Sequence, residues 1–223
     1  MIPWLLLDTA RIPGGGELRL KRRGGEFSIM LGDNELMNSR LGGSEEALAT
    51  LCRARLGERP DARILIGGLG MGFTLRAALG VFGAGARIDV AELVPAVVAW
   101  ARGPMAELFG ASLGDARVKI VEDDVARVIR AGRGVYDAIL LDVDNGPDGL
   151  VRAANDGLYD MKGLRAAYAA LRPRSALAVW SSGPDRAFTS RLGKVGFAVE
   201  EVKARAKGSG GARHVIWIAS RGD

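Results

Sequence analysis

Ile64-Leu65-Ile66-Gly67-Gly68-Leu69-Gly70-Met71-Gly72 runs without a break into Phe73-Thr74-Leu75-Arg76-Ala77-Ala78-Leu79. The aliphatic triplet, two of its members β-branched, predicts a buried strand. The glycines behind it predict a sharp turn, and the run from Phe73 predicts a helix. Strand, glycine turn and helix, in that order, are the context in which a glycine motif marks a nucleotide site. At Gly68, Gly70 and Gly72 the missing Cβ lets the backbone turn tightly and lets a ligand come close. A second strand, expected over residues 86–91, ends at Glu92, about 20 residues beyond the motif, where a carboxylate accepts hydrogen bonds from ribose hydroxyls.

Downstream the pattern keeps alternating between strand and helix, which predicts a doubly wound α/β fold. A helix is expected over residues 95–109, opened by Pro95, whose fixed φ suits a first turn. Further strands are expected over residues 118–121, 136–141, 176–180, 198–202 and 215–219, with helices over 125–131, 162–171 and 186–195. No helix separates the last two strands, so they form an antiparallel hairpin at the edge of a seven-stranded, mostly parallel sheet.

Upstream the texture changes. Short strands over residues 4–7, 17–21, 26–31 and 35–38 alternate with Gly14-Gly15-Gly16, Gly24-Gly25 and Gly32-Asp33-Asn34, which are hairpin signals. Residues 1–43 thus read as a small N-terminal β-hairpin extension. Too small to be stable alone, it must lean on the main domain, residues 44–223, or on a second subunit. Ser44 is expected to cap a helix over residues 44–56, with Glu45 and Glu46 in the first turn, where the helix dipole favours acids.

The totals narrow the function classes. With 223 residues, about half of them apolar and a quarter charged, the chain has the profile of a soluble globular protein with one large domain and a small extension. No apolar run reaches the ~20 residues of a membrane span, and the apolar start has no basic leader, so neither a membrane segment nor a signal peptide is expected. The single cysteine, Cys52, rules out an internal disulfide and fits a cytoplasmic location. Placed among Leu48, Leu51 and Leu56, it reads as a buried, inert thiol. The net charge of +5 is dispersed, with Lys21-Arg22-Arg23 the largest cluster and no aromatic ladder beside it, so no nucleic-acid partner is expected. One histidine and one cysteine leave no material for a Cys/His zinc site or a Ser-His-Asp triad, and no metal is expected. His214, in the last predicted strand, reads as structural.

Glu92, Asp124 and Asp142 fall at or just past the C-terminal ends of successive predicted strands. In an open α/β sheet those ends line one crevice, at the point where the strand order reverses. There Glu92 can hold ribose, Asp124 can accept from an exocyclic amine, and Asp142 can hold and deprotonate an amine. Asp144 is close enough in sequence to perturb Asp142. Asp123, Asp144 and Asp148 also fit solvated loop carboxylates.

These segments, with Glu92-Leu93-Val94-Pro95-Ala96-Val97-Val98, Asp115-Ala116-Arg117-Val118-Lys119-Ile120 and Tyr136-Asp137-Ala138-Ile139-Leu140-Leu141-Asp142, resemble the spermidine synthases. Those are aminopropyltransferases on the class I S-adenosylmethionine-dependent methyltransferase fold. Phe27-Ser28-Ile29-Met30-Leu31-Gly32-Asp33-Asn34-Glu35-Leu36-Met37 is similar to that family's β-hairpin extension, and Arg213-His214-Val215-Ile216-Trp217-Ile218-Ala219-Ser220 to its closing strand. The resemblance implies a homodimer that binds S-adenosylmethionine or its decarboxylated form. Gly68, Gly70, Gly72, Glu92 and Asp124 would hold the donor, and Asp142 and Asp144 would act on a small-molecule acceptor of amine type.

The chain departs from the family at several points. Gly70 stands where the family's glycine segment carries an Asp, and Asn145 stands where its fourth strand end carries a second Asp. Leu41-Gly42-Gly43-Ser44-Glu45-Glu46-Ala47 replaces a segment that holds Tyr, His and Glu, so that only the acid persists, read here as Glu46. Methyl transfer to a small acceptor is therefore the leading expectation, because it asks mainly for proximity and in-line alignment. Aminopropyl transfer of the spermidine synthase type is the alternative. A non-catalytic nucleoside-binding module that kept the fold is the third reading.

Overall fold

The strand ahead of the glycines is β5 (Arg63–Gly67) of the computed structural model, which describes residues 2–13, 15–143, 157–207 and 210–223. Before it come β1 (Leu5–Arg11), β2 (Glu17–Arg23), β3 (Glu26–Leu31), β4 (Asn34–Asn38) and helix α1 (Gly43–Leu56). After it come α2 (Phe73–Val81), β6 (Arg87–Glu92), α3 (Pro95–Arg102), α4 (Ala106–Phe109), a short 3₁₀ turn (Ser112–Gly114), β7 (Val118–Glu122), α5 (Val125–Ala131) and β8 (Tyr136–Leu141). The chain closes with α6 (Met161–Ala170), β9 (Leu171–Ser181), α7 (Arg186–Val195), β10 (Ala198–Lys207) and β11 (Gly210–Ser220).

The main sheet has seven strands in the order β10-β11-β9-β8-β5-β6-β7. β5 pairs in parallel with β6 on one side and β8 on the other, so the winding direction reverses between β5 and β8. β11 pairs antiparallel with both β9 and β10, which gives the expected edge hairpin. Successive residues of β5 enter different cores: Ile64 and Ile66 join Ile88, Val90 and Leu140 on one face, while Leu65 joins Ile139 and Leu141 on the other. A parallel sheet is covered on both faces, which is why β5 and β8 read as unbroken apolar runs rather than as alternating ones.

The N-terminal extension is a four-stranded antiparallel meander, β1-β2-β3-β4, made from the four short strands that the sequence predicts. Its inner residues Leu18, Leu20, Phe27 and Ile29 belong to the same core cluster as Leu48 of α1 and Leu75 of α2. The Trp100 indole N–H of α3 also donates to Asp8 Oδ2 on β1, at 2.7 Å. The extension thus leans on the main sheet's helices, as its size demands.

Three expectations need correction. The helix over residues 95–109 is two helices, broken at Gly103-Pro104, because a proline disfavours helical backbone in the residue before it. The closing hairpin is longer than its apolar centre, since alternating charges along β10 sit on an exposed edge strand. Ser44 does not cap α1: Gly42 holds that position without a side-chain bond, and Ser44 lies inside the helix. Among the described residues, no helix is long and apolar enough to cross a membrane.

Candidate active site

All three glycines of the turn adopt left-handed backbone, with φ of 90° at Gly68, 48° at Gly70 and 75° at Gly72. The turn is stitched to both neighbouring strands: Gly68 N–H donates to Ala91 O at 2.9 Å, and Asp142 N–H donates to Gly67 O at 3.0 Å. A Cβ at Gly68 would collide with the Asp142 carbonyl oxygen, and one at Gly72 with the Phe109 ring. A Cβ at Gly70 would meet only Met37 Sδ, at 3.3 Å. Gly68 and Gly72 are therefore required by the protein's own packing, while Gly70 is the glycine that faces open space.

That space is a cleft with two lobes sharing Leu36, Met37, Gly70 and Asp142. The first lobe is bounded by Glu92 and Asp124, by Val94, Val97 and Val125, and by Ile12, Leu18 and Leu31 of the extension. Glu92 is 8% exposed. Its two oxygens accept from Leu69 N–H and Val94 N–H, each at 2.9 Å, so it ties the glycine turn to the entry of α3. Asp124 caps α5, accepting from Ala126 N–H at 2.7 Å, and turns toward the same lobe. Its neighbour Asp123 pairs with Arg127 at 3.3 Å, as a surface carboxylate does. Asp144, the second residue expected to take part in chemistry, and Asp148 lie outside the described residues.

The second lobe is lined by Asn38, Glu45, Met71, Phe73 and Trp180, together with Asp142. Asp142 Oδ2 accepts from the Thr74 hydroxyl at 2.7 Å. Burial pushes the Asp142 carboxyl up to about 7, the negative charge of Glu45 pushes the same way, and the Thr74 hydrogen bond pulls it down. A carboxylate that titrates near neutral pH is suited to accept a proton during a reaction.

Glu45, not Glu46, is the acid that α1 brings to the cleft; Glu46 is exposed. A one-residue shift on a helix is a turn of about 100°, and the glycine pair before the helix sets that angle. A Cβ at Gly42 would strike the Phe73 ring, and one at Gly43 would sit 3.0 Å from the carbonyl oxygens of Arg205 and Ala206. Only a side-chain-free Gly42-Gly43 lets α1 start wedged between α2 and β10. Ser44, with no exposed surface, then places its Oγ 2.6 Å from Glu45 Oε2 and 2.8 Å from His214 Nδ1. The His214 ring meets Trp180 edge to face, with centroids 4.7 Å apart. Burial lowers the imidazole below its usual value, with Glu45 acting in the opposite direction.

Four residues at this lobe escape a reading of the sequence: Glu45, Thr74, Trp180 and His214. The one visible signal is the glycine pair ahead of a serine that would itself cap the helix well. Among the described residues lining either lobe there is no lysine, arginine or histidine.

No family model matches the chain, and no curated protein sequence does. Solved structures do match. A spermidine synthase from Thermotoga maritima aligns with a TM-score of 0.74 at 17% identity, over 97% of this chain and 72% of that one. A spermidine synthase in complex with the transition state analogue AdoDATO aligns equally well, at 17% identity and the same coverage. A probable spermidine synthase from Corynebacterium glutamicum ATCC 13032 aligns with a TM-score of 0.63 at 18% identity, over 97% of this chain and 80% of that one. The seven-stranded sheet, its antiparallel edge and the small N-terminal sheet thus make up a fold like that of these spermidine synthases.

Proposed function

We propose that this protein is an aminopropyltransferase that takes decarboxylated S-adenosylmethionine as donor and a small amine as acceptor. The observation that carries the reading is the second lobe: two carboxylates, Asp142 and Glu45, share it, and no cationic side chain lines either lobe among the described residues. S-adenosylmethionine itself ends in a carboxylate, which would meet Asp142 and Glu45 without a counter-ion. The decarboxylated donor presents only positive charge there. Coulomb repulsion between like charges a few ångströms apart costs about 1–4 kcal/mol in a partly solvated site, enough for roughly tenfold or greater discrimination. Likeness in fold to spermidine synthases, one of them in complex with AdoDATO, supports this reading over methyl transfer.

The first lobe fits the nucleoside end. Glu92, fixed by the two N–H groups it accepts from, and Asp124 beside Val125 place carboxylates along it. Gly70 leaves room for the tail between the lobes. When bound, the donor supplies an electrophilic carbon attached to a sulfonium and leaves as neutral methylthioadenosine. Asp142 takes the proton from the attacking nitrogen as its lone pair forms the new C–N bond. Thr74 holds the carboxylate in place for that transfer. Glu45 holds the acceptor in its protonated resting form until the proton is lost.

The test is a panel of polyamines and small amines assayed with both donors on wild type and on Asp142→Asn. Methylthioadenosine formed from the decarboxylated donor and an amine, reduced about 10²–10⁴-fold in the variant, is the expected result. S-adenosylhomocysteine as the product would restore the methyltransferase reading. A variant as active as wild type would remove Asp142 from the chemistry.

A further inference from the structure

His214 comes from the last strand, 170 residues from Ser44, yet its Nδ1 lies 2.8 Å from the Ser44 hydroxyl beneath the acceptor lobe. We propose that His214 is a positioning residue: its Nδ1–H donates to Ser44 Oγ, whose own proton goes to Glu45, so that one carboxylate of the acceptor lobe is held by a relay that starts on β11. The proposal deepens the aminopropyltransferase reading and rests on it for its kinetic arm alone.

Hydrogen-bond bookkeeping fixes the direction. Ser44 Oγ carries one proton and has two neighbours, Glu45 Oε2 at 2.6 Å and His214 Nδ1 at 2.8 Å. An ionised carboxylate only accepts. The hydroxyl proton therefore belongs to Glu45, and the serine oxygen is left to accept from the ring, which must carry its proton on Nδ1. Ser44 has no exposed surface, so water does not compete for either bond. A buried hydroxyl with both its bonds made also restricts the rotamer of Glu45, the side chain next to it on the first turn of α1.

The surroundings make this arrangement rigid. β10 and β11 pair Ala204 with His214, and the carbonyls of Arg205 and Ala206 press against Gly43. Trp180 packs its ring edge to face on the imidazole and itself lines the acceptor lobe. Movement of His214 would thus disturb two walls of that lobe, Glu45 and Trp180, while the nucleoside lobe with Glu92 and Asp124 stays as it is.

The experiment uses the fact that the chain has one histidine, so a ring-¹⁵N spectrum contains a single imidazole. At pH 8 the ring is neutral, and the ¹⁵N shifts report its tautomer. The expected result is protonation on Nδ1 in wild type. In Glu45→Ala the freed serine proton turns to the ring, and the Nε2–H tautomer takes over. Nε2–H in wild type, or a tautomer insensitive to Glu45→Ala, overturns the proposal whether or not the enzyme turns over any amine. The kinetic arm uses putrescine with the decarboxylated donor. His214→Ala should raise the KM for the amine about three- to tenfold, the worth of one hydrogen bond between neutral groups, with kcat and donor affinity changed far less. His214→Asn, whose amide N–H stands near the lost Nδ1–H, should recover most of that loss. An equal fall in kcat in both variants would mark a structural role instead. Absence of turnover in wild type would defeat the functional reading and leave the tautomer result to decide the relay.

Discussion

Replacing Asp142 by asparagine should make the protein more stable at neutral pH while destroying its activity. The Asp142 carboxyl is displaced from its ordinary value of 3.8 to about 7, first by burial and then by Glu45. A carboxyl raised in this way binds its proton more tightly in the folded chain than in the unfolded one. Below about pH 4 both states are protonated, and Asp142 carries no penalty. From about pH 4 to 7 the unfolded chain ionises and the folded one resists, so stability falls, and above about 7 the penalty is complete. Each unit is worth about 1.4 kcal/mol, so roughly three units set an upper bound near 4 kcal/mol. One edge of Asp142 opens on the cleft, where solvent screens the charge, so a realistic figure is about 2–3 kcal/mol. The asparagine side chain keeps the shape, can still accept from Thr74, and carries no charge at any pH. Urea unfolding of both proteins at pH 5, 6, 7 and 8 measures the difference, with equal m-values as the check on two-state behaviour. The gap should be a little over a third of its full size at pH 5, about 1 kcal/mol, and should widen up to about pH 7. A variant no more stable than wild type at pH 8, or a gap that does not grow with pH, would refute the view of Asp142 as a carboxylate held under electrostatic strain for chemistry.

Other residues give equally direct outcomes. Thr74→Val removes the bond that lowers the Asp142 pKa, so the pH at half-maximal rate should move up by about 0.5–1 unit, since a hydrogen bond to a charged group is worth about 1 kcal/mol or more; a shift downward would contradict the assignment. Glu92→Ala should weaken methylthioadenosine binding at least about tenfold in calorimetry and should also lower stability by about 1–3 kcal/mol, because Leu69 N–H and Val94 N–H lose their acceptor; unchanged affinity would remove Glu92 from the ribose site. Gly68→Ala should destabilise the fold through its clash with the Asp142 carbonyl, whereas Gly70→Val meets no backbone atom but strains a β-branched residue at a φ of 48°, so it should lower the melting temperature as well and abolish binding in the protein that stays folded, by filling the passage between the lobes. Melting temperatures and ligand titrations on the two variants separate these effects.

The first lobe of the cleft, proposed for the nucleoside, is legible in the sequence because backbone requirements write themselves into residue types. A turn with three left-handed positions needs glycine, and a carboxylate closing the second strand faces that turn by the geometry of a βαβ unit. The second lobe, proposed for the acceptor, is not legible, because its parts are far apart in the chain. Glu45 is told from Glu46 only by the angle at which α1 starts, and that angle follows from contacts of Gly42 and Gly43 with α2 and β10. His214 reads as structural since nothing local to β11 reveals that it lies beneath α1. Pro104 is visible and carries the break between α3 and α4, but the apolar periodicity on either side masks it. The charged ends of β10 read as connection, since an exposed edge strand has no apolar alternation to announce it.

An aminopropyltransferase of the proposed kind selects a sulfonium donor that lacks a carboxylate. Calorimetric titration of the wild-type protein with decarboxylated S-adenosylmethionine and with S-adenosylmethionine tests it most directly, with methylthioadenosine and NAD as references. The decarboxylated donor should bind about tenfold tighter or more than S-adenosylmethionine, in keeping with repulsion by Asp142 and Glu45. Equal affinity for the two donors, or preference for S-adenosylmethionine or NAD, would contradict it.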